Sequence, residues 1–321
     1  MDDLADLLHR AAGAAAEFRT TLPERPIAGQ ADLDTLRAAF GGSLPEGRSP
    51  PGGVVEALIR AAEGGVMATA GPRFFGFVIG GALPVATAAD MLATGWDQCA
   101  FNHAIAPAAT VAEECAGAWL KDLLGIPAAA SAGFVTGGQE ANTVGLAAAR
   151  HHVLAEAGWD VELDGLAGAP AVRIIAGEER HATIDRSLRL LGFGAASTET
   201  VAADANGAID VECLAGALDA AQPGPTIVCL QASNVNTGAC DNLRAACDLV
   251  HARGGWAHVD GAFGLWAAAN PATAHLVDGA ELADSWACDG HKWLNVPYDS
   301  GFAFCSRPDV HAAAVSYTAA Y

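Results

Sequence analysis

Lys292 is the residue with the clearest chemical potential in this sequence. It is one of only two lysines among 321 residues, and it stands in the segment Asp289-Gly290-His291-Lys292-Trp293, directly after an apolar stretch. Burial removes the hydration that an ammonium group needs, so a lysine in such surroundings tends to lose its proton. A neutral amine in a dry pocket is a nucleophile that forms Schiff bases with carbonyl compounds. The alternative is a lysine whose stem lies along apolar surface while its amine stays in water.

Two glycines stand between a predicted strand and a predicted helix, in the segment Thr136-Gly137-Gly138-Gln139. They let the backbone approach a ligand closely, and the helix N-terminus offers free N–H groups and a positive dipole end to a phosphate. The segment is not a GxxxxGK[ST] loop, so it does not predict a nucleoside triphosphate site. The alternative is an ordinary tight turn followed by a helix cap.

Three polar residues follow other predicted strands. Asp260 ends an apolar strand and precedes small residues, which suits a carboxylate that holds a protonated ring nitrogen. His181 stands at a helix start, where an imidazole can stack on a ligand ring, and Asn236 lies in a polar turn. Each has a structural alternative: an aspartate that caps the next turn, a histidine bonded within the fold, and a turn without a ligand.

The elements that must position these residues alternate between short apolar runs and helical periods from about residue 130 onward. This pattern predicts an α/β fold, a mostly parallel sheet with helices on both faces. We predict strands at 132–136, 172–176, 226–231, 256–260, 285–288 and 301–305, and helices at 2–19, 84–96, 107–124, 139–157, 181–191 and 243–253. The predicted boundary separates an N-terminal helical segment, residues 1–85, from a large domain, residues 86–321.

Composition excludes several classes of function. The net charge of −20 argues against nucleic-acid binding and against anionic membrane surfaces. The longest apolar run, residues 76–89, is too short and too broken by glycine and proline to span a bilayer, and the N-terminus lacks the basic region of a signal peptide. Eight scattered cysteines without metal-ligand spacing predict free thiols in a reducing cytoplasm and no metal site.

The order of the candidate residues is more informative than any one of them. A phosphate loop, a stacking histidine, a polar turn, a strand-end aspartate and a lysine all fall at one edge of one predicted sheet. They would bind a phosphate, a flat ring, a ring nitrogen and an aldehyde. Pyridoxal 5′-phosphate contains all four groups, and we predict it as the cofactor.

With these motifs, the chain resembles the group II pyridoxal-phosphate-dependent amino-acid decarboxylases, which have the aspartate aminotransferase fold type. The resemblance runs from about Pro72 to Arg307. It is strongest over residues 284–299, where His291-Lys292-Trp293 follows the upstream segment His258-Val259-Asp260-Gly261-Ala262. It implies the family's large domain, with a seven-stranded mostly parallel sheet, and a homodimer to which the N-terminal segment contributes.

The resemblance also implies individual roles. Lys292 would bind the cofactor aldehyde, Asp260 would pair with the ring nitrogen, and His181 would stack on the ring opposite Ala262. The backbone of Gly138 and Gln139 would hold the phosphate, with His291 close by. The full sets that the resemblance implies are Gly137, Gly138, Gln139, Asn236 and His291 for the cofactor, and Phe77 and Phe101 for the substrate.

Two departures from the family pattern limit these implications. Val78 and Ile79 follow Phe77 where aromatic-specific members carry more aromatic and hydroxyl side chains, so aromatic specificity is not implied. The chain ends at Tyr321, before the family's mobile catalytic loop and small C-terminal domain. We therefore expect a fragment or a partly degenerate relative that lacks part of the machinery for full turnover.

Three functions are compatible with the sequence. The first is pyridoxal-phosphate-dependent decarboxylation of an L-amino acid to its amine and carbon dioxide. The second is a related lyase, aminotransferase or aldehyde-forming reaction on the same scaffold. The third is a cofactor-binding or purely structural protein without full turnover.

Overall fold

The structure, a computed structural model, describes residues 3–220 and 224–317. The chain separates after Gly81 into two compact units. The boundary that we predicted at residue 85, together with a role of the first segment in dimerisation, stays a prediction.

The N-terminal unit contains three helices, α1 (Leu4–Thr21), α2 (Leu33–Phe40) and α3 (Pro51–Ala62). Helix α3 packs against both others, and Arg10 of α1 forms an ion pair with Glu56 of α3 at 3.2 Å. Asp32 caps α2 by accepting a hydrogen bond from the N–H of Thr35. The amphipathic helix predicted at residues 2–19 is present, but none of the residues of α1 is buried.

The second unit contains the sheet and the remaining helices. Its strands are β1 (Ser131–Val135), β2 (Arg173–Gly177), β3 (Thr198–Val201), β4 (Thr226–Gln231), β5 (Trp256–Asp260), β6 (Ser285–Asp289) and β7 (Gly301–Cys305). Its α-helices are α4 (Pro84–Trp96), α5 (Pro107–Leu124), α6 (Gly138–Glu156), α7 (Val161–Asp164), α8 (Ala182–Leu190), α9 (Val211–Asp219), α10 (Leu243–His251) and α11 (Pro308–Val315). Short 3-10 helices lie at Ala195–Ser197, Gly264–Ala269, Ala274–Val277 and Ala280–Leu282.

The sheet has seven strands in the order β1-β7-β6-β5-β4-β2-β3. Strands β2 to β6 run parallel to one another, and β7 is antiparallel to both β1 and β6. The predicted seven-stranded, mostly parallel sheet is confirmed. We did not predict β3, a four-residue edge strand whose sequence Thr-Glu-Thr-Val has no apolar run to identify it.

Helices cover both faces of the sheet, so the strands are buried on both sides. Ile175 and Val228 point into a core with α5, α9 and α10, whereas the preceding residues, Ile174 and Ile227, point into a core with α6, α8 and α11. Adjacent strand residues face opposite sides, which explains the continuous apolar runs in the sequence. Helix α6 crosses β5, β6 and β7.

Candidate active site

Four parallel strands bring polar residues to one edge of the sheet. β2, β4, β5 and β6 run in the same direction, so their carboxyl ends lie side by side. Asp260 is the last residue of β5, Asp289 is the last residue of β6, and His181 follows β2 at the start of α8. This edge is where open α/β sheets bind ligands.

Asp260 is buried and accepts three hydrogen bonds from neutral donors. Its Oδ2 accepts from Nδ2 of Asn142 at 3.0 Å and from Oγ1 of Thr183 at 3.3 Å. Its Oδ1 accepts from the backbone N–H of Ala262 at 3.2 Å. Since an ionised carboxylate is stabilised by such donors, these contacts fix a negative charge in one orientation at the end of β5.

A buried chain of hydrogen bonds lies behind Asp260. Because Nδ2 of Asn142 donates to Asp260, its Oδ1 faces Nε2 of His258 at 2.9 Å, and this nitrogen must carry the proton. Nδ1 of His258 then accepts from Oγ of Ser285 at 2.9 Å, and that oxygen accepts from Nε1 of Trp256 at 2.9 Å. Complete burial lowers the pKa of His258 to about 3, so the ring is neutral at physiological pH.

Gly145 of α6 makes room for this chain. A Cβ at Gly145 would lie 2.6 Å from Cε1 and 2.8 Å from Nδ1 of His258, closer than non-bonded atoms can approach. The glycine therefore lets the helix lie directly on the imidazole. Without it, either the helix or the ring that orients Asn142 would have to move.

Asp289 lies at the N-terminus of α6. Its side chain is almost completely buried; Oδ1 accepts from the backbone N–H of Gly138 at 2.5 Å, and Oδ2 lies 2.9 Å from Nζ of Lys292. A Cβ at Gly138 would lie 3.0 Å from Oδ2, so glycine permits this close approach. The carboxylate thus satisfies a donor that the first helical turn leaves free.

Lys292 is partly buried, with 22% of its side chain exposed, and it is paired with Asp289. Its Nζ also lies 5.9 Å from the centre of the Phe263 ring. From the sequence we expected a dry pocket in which desolvation dominates. In the structure a carboxylate faces the amine instead, because the turn after β6 brings the two residues of one segment together.

His291 belongs to the same cluster. Its ring stacks on Tyr298 with centroids 4.2 Å apart, and its Nδ1 accepts from the N–H of Ser300 at 3.1 Å. Burial lowers the pKa of His291, and Lys292 acts in the same direction, whereas Asp289 raises it. Nε2 lies 3.4 Å from Oδ1 of Asp289, so this nitrogen faces the N-terminus of α6.

His181 caps α8, with its Nδ1 accepting from the N–H of Thr183 at 3.3 Å. The side chain is exposed, and Thr183 connects it to the Asp260 cluster through its hydroxyl. Gln139 packs nearby and donates from Nε2 to Oγ of Ser187 at 2.9 Å. Within the described part of the chain, its buried Oε1 has no hydrogen-bond partner.

Three predicted residues do not join these clusters through described contacts. Asn236 is exposed in the turn after β4, where its N–H donates to the buried side chain of Asn234 at 2.8 Å. Phe101 is 70% exposed. Phe77 belongs to the N-terminal unit and is 90% exposed.

Sequence reasoning missed the residues that support the site. Asn142, Thr183 and His258 received no role, and Asp289 was quoted only as part of a motif. One signal was available: Asn142 comes one helical turn after Gly138, on the side of α6 that faces the sheet. The contact between Asp289 and Gly138 had no such signal, since the two residues are 151 positions apart.

No helix among the described residues is long and apolar enough to cross a membrane. Residues 3–220 and 224–317 also contain no group of three or more His, Cys, Asp or Glu side chains arranged to hold a metal ion. All eight cysteines are free thiols.

Known proteins share both sequence and fold with this chain. An aromatic-L-amino-acid decarboxylase from Bacillus atrophaeus is 29% identical over 303 residues, which cover 94% of this chain and 61% of that protein. Tryptophan decarboxylase 1 from Oryza sativa is 29% identical over 309 residues, covering 91% and 59%. The chain thus spans about three fifths of the length of these curated relatives.

Solved structures agree with this relationship. An Oryza sativa tryptophan decarboxylase, solved with pyridoxal phosphate and tryptamine, superimposes with a TM-score of 0.89 at 25% identity, covering 100% of this chain and 67% of that chain. Residues 48–318 match the family described as the pyridoxal-dependent decarboxylase conserved domain. Because this match includes β1 to β7 together with the Asp260 and Lys292 clusters, the chain belongs to the pyridoxal-dependent decarboxylase family.

Proposed function

We propose that this chain binds pyridoxal 5′-phosphate and that the protein decarboxylates an L-amino acid, giving an amine and carbon dioxide. One observation carries the proposal: a single turn of α6 links the two clusters. Gly138 contacts Asp289, the partner of Lys292, and Asn142, four residues later, contacts Asp260. A ligand at this helix would meet an amine, helix N–H groups and an oriented carboxylate together.

The residues present fit the cofactor in two respects. The N-terminus of α6 already holds an oxyanion, the carboxylate of Asp289, so its N–H groups suit a phosphate. The carboxylate of Asp260 is held by three neutral donors, and no cation among its described partners neutralises it. It is therefore free to balance the charge of a protonated ring nitrogen.

Each predicted residue then has a place in the proposed complex. The amine of Lys292 would bind the aldehyde, and Asp260 would pair with the ring nitrogen. His181 and Ala262 would lie against opposite faces of the ring. The remaining predicted residues would contact the cofactor and the substrate: Gly137, Gly138, Gln139, Asn236 and His291 for the cofactor, and Phe77 and Phe101 for the substrate.

The cofactor, when bound, supplies an electron sink for the bond between Cα and the carboxylate. The contribution of the protein is electrostatic and positional. Asp260 holds a proton at the ring nitrogen, and Asn142 and Thr183 keep its carboxylate in place while it does so. Lys292 must give up a proton from Nζ before it reacts, and the nearest described acceptor is Asp289 at 2.9 Å.

Borohydride reduction followed by peptide mapping tests cofactor binding. After incubation with pyridoxal phosphate, we expect a pyridoxyl group on Lys292. Lys121 is a matched control, since its Nζ donates to the carbonyls of Ala128 and Ala130, in the segment after α5, at 2.7 Å each. Label on Lys121 alone, or on neither lysine, would contradict the proposal.

Product analysis tests the reaction. Purified protein loaded with pyridoxal phosphate is incubated with a panel of L-amino acids, and the products are separated by mass spectrometry. The proposal requires an amine together with carbon dioxide in equal amounts. A keto acid would indicate an aminotransferase, an aldehyde would indicate an aldehyde-forming enzyme, and cofactor binding without any product would leave only the binding role.

We also propose a cytoplasmic homodimer. Apolar side chains on α4 and α5 are exposed in the single chain, which supports contact with a second copy: Val85, Met91, Leu92, Trp96, Val111, Trp119 and Leu123. The free cysteines support a reducing compartment. Sedimentation equilibrium should give twice the mass of the chain, and fractionation of cells should recover the protein with cytoplasmic markers; a monomer or a membrane-bound fraction would contradict these assignments.

A further inference from the structure

Asp289 occupies the position at which the proposed function requires a phosphate. Its Oδ1 accepts a hydrogen bond from the N–H of Gly138, the first residue of α6, and its Oδ2 forms an ion pair with the ammonium of Lys292. Both groups belong to the set that would hold the cofactor. One carboxylate therefore uses a phosphate donor and the Schiff-base amine at the same time.

The carboxylate is firmly positioned by its backbone. The N–H of Asp289 donates to the carbonyl of Ala262 at 2.9 Å, and Nε1 of Trp266 donates to the carbonyl of Asp289 at 3.0 Å. The residue is the last one in β6 and is almost completely buried. Because the backbone is held on both sides, Asp289 cannot withdraw far from the helix when another anion arrives.

We propose that Asp289 is an internal competitor of the cofactor phosphate, an inference that rests on the proposed function. Without cofactor, its carboxylate fills the anion site of α6 and neutralises Lys292. With cofactor, the phosphate must share the helix terminus with a second negative charge, and like charges in a partly buried site repel strongly. Asp289 thus lowers the affinity for pyridoxal phosphate and makes the cofactor exchangeable.

A simple capping role does not account for this arrangement. Capping residues normally stand next to the helix in sequence, as Asp32 does before α2. Here the cap comes from a strand 151 positions away, and Gly137, the residue before α6, has no side chain to compete with it. A neutral amide at position 289 would still accept from Gly138 without the charge.

The test compares the wild type with Asp289→Asn, in which the amide oxygen can still accept from the N–H of Gly138. Dissociation constants are measured by absorbance and calorimetry for pyridoxal phosphate and for pyridoxal, which lacks the phosphate. Loss of the ion pair with Lys292 affects both ligands, whereas relief of repulsion affects only the phosphorylated one. We expect the preference for pyridoxal phosphate over pyridoxal to rise about tenfold or more.

Glu140→Gln is the matched control. Glu140 lies exposed in the first turn of the same helix and accepts from Oγ1 of Thr136 at 3.0 Å, so this variant removes one negative charge near the terminus without touching Gly138. In this variant, the preference for pyridoxal phosphate over pyridoxal should change less than about twofold, because an exposed charge is screened by solvent. An equal gain in both variants would mean that only net charge matters, and would overturn the proposal.

A second measurement does not depend on the cofactor. Inorganic phosphate should raise the melting temperature of Asp289→Asn more than that of the wild type at matched ionic strength, with sulfate-free chloride buffer as reference. An unchanged preference between the two ligands, or a lower one, overturns the role of Asp289. If neither protein binds pyridoxal phosphate or pyridoxal, the proposed function fails. The shift of melting temperature with inorganic phosphate then decides alone whether Asp289 competes with an anion at α6.

Discussion

Asp260 and Asp289 end neighbouring parallel strands, yet their surroundings differ completely. Asp260 is held by three neutral donors, and a buried imidazole fixes the orientation of one of them. Asp289 is held by a helix N-terminus and an ammonium group. The first carboxylate keeps an unbalanced charge available for a ligand, whereas the second has its charge balanced by groups that a ligand would need.

This difference indicates how one sheet edge can contain two acidic residues with opposite effects on the binding of the proposed cofactor. The network around Asp260 is complete without a ligand and should persist when one binds. The contacts of Asp289 are complete only while the site is free of another anion. We therefore expect substitutions on the Asp260 side to impair function, and a charge-removing substitution at Asp289 to strengthen cofactor binding.

The largest effect is expected for Asp260→Asn. The amide would turn a donor toward Asn142 or Ala262, and no negative charge would remain at the ring nitrogen. We expect amine formation to fall by about 100-fold or more, as when an electrostatic group is removed from an active site. The rate is measured with saturating cofactor and compared with Asp248→Asn, an exposed position on α10. A variant with near wild-type turnover would remove the distinction between the two carboxylates.

A smaller effect, on stability, is expected for His258→Phe. The substitution leaves Oδ1 of Asn142 and Oγ of Ser285 without their buried partner, which should lower the free energy of unfolding by about 2–4 kcal/mol in urea titrations at neutral pH. His258→Gln, which can still donate to Asn142, should recover part of the loss. Equal losses in both variants would mean that ring packing, and not the hydrogen-bond chain, stabilises this region.

The same residue predicts a pH dependence. The folded-state pKa of His258 is lowered to about 3, below its ordinary value of 6.5, because burial disfavours the charged ring. Its contribution to stability is therefore present above pH 6.5 and is lost as the pH falls toward 3. Unfolding free energies of His258→Phe should decline less steeply over this range than those of the wild type.

The smallest effect is expected at Asp241, a third buried carboxylate near the same edge. It accepts from the N–H groups of Ile209 at 2.7 Å and Gln231 at 2.6 Å, and burial raises its pKa to about 6. In Asp241→Asn the side-chain NH2 group would face one of these two backbone N–H donors. The substitution should therefore lower the free energy of unfolding by about 1–3 kcal/mol at neutral pH. Cofactor affinity should stay unchanged; a marked loss of affinity would extend the functional region to this carboxylate.

The titration of Asp241 runs opposite to that of His258. Since its pKa is raised on folding, its contribution to stability is present below about pH 4 and is lost as the pH rises toward 6. In Asp241→Asn this loss disappears. The stability difference between wild type and variant should therefore shrink as the pH rises across that interval, which urea titrations at several pH values can measure.

The sequence predicted the strands that carry the site more accurately than the contacts within it. The bounds predicted at 226–231, 256–260 and 301–305 are those of β4, β5 and β7, because strands buried on both faces give continuous apolar runs between turn signals. The alternation of strands and helices predicted that the candidate residues lie at one edge of the sheet. The edge strand β3 was missed, since half-exposed strands lack such a run.

The internal connections of the site could not be predicted in the same way. The bond between Asn142 and Asp260 joins residues 118 positions apart, and it depends on how α6 lies across the sheet. That placement depends in turn on Gly145, where the absence of a side chain admits His258. Local patterns contain no information about such contacts, whereas strand order and residue type do limit which groups can meet.

The pitch of one α-helix sets a length for whatever binds here. Gly138 and Asn142 are separated by four residues of α6, a rise of about 6 Å along the axis. The spacing between the anion end and the carboxylate end of the site is thus built into regular backbone geometry and does not depend on loop conformation. In the proposed complex, a molecule too short to reach both ends would contact only one of them, so we expect the site to select ligands by length as well as by charge.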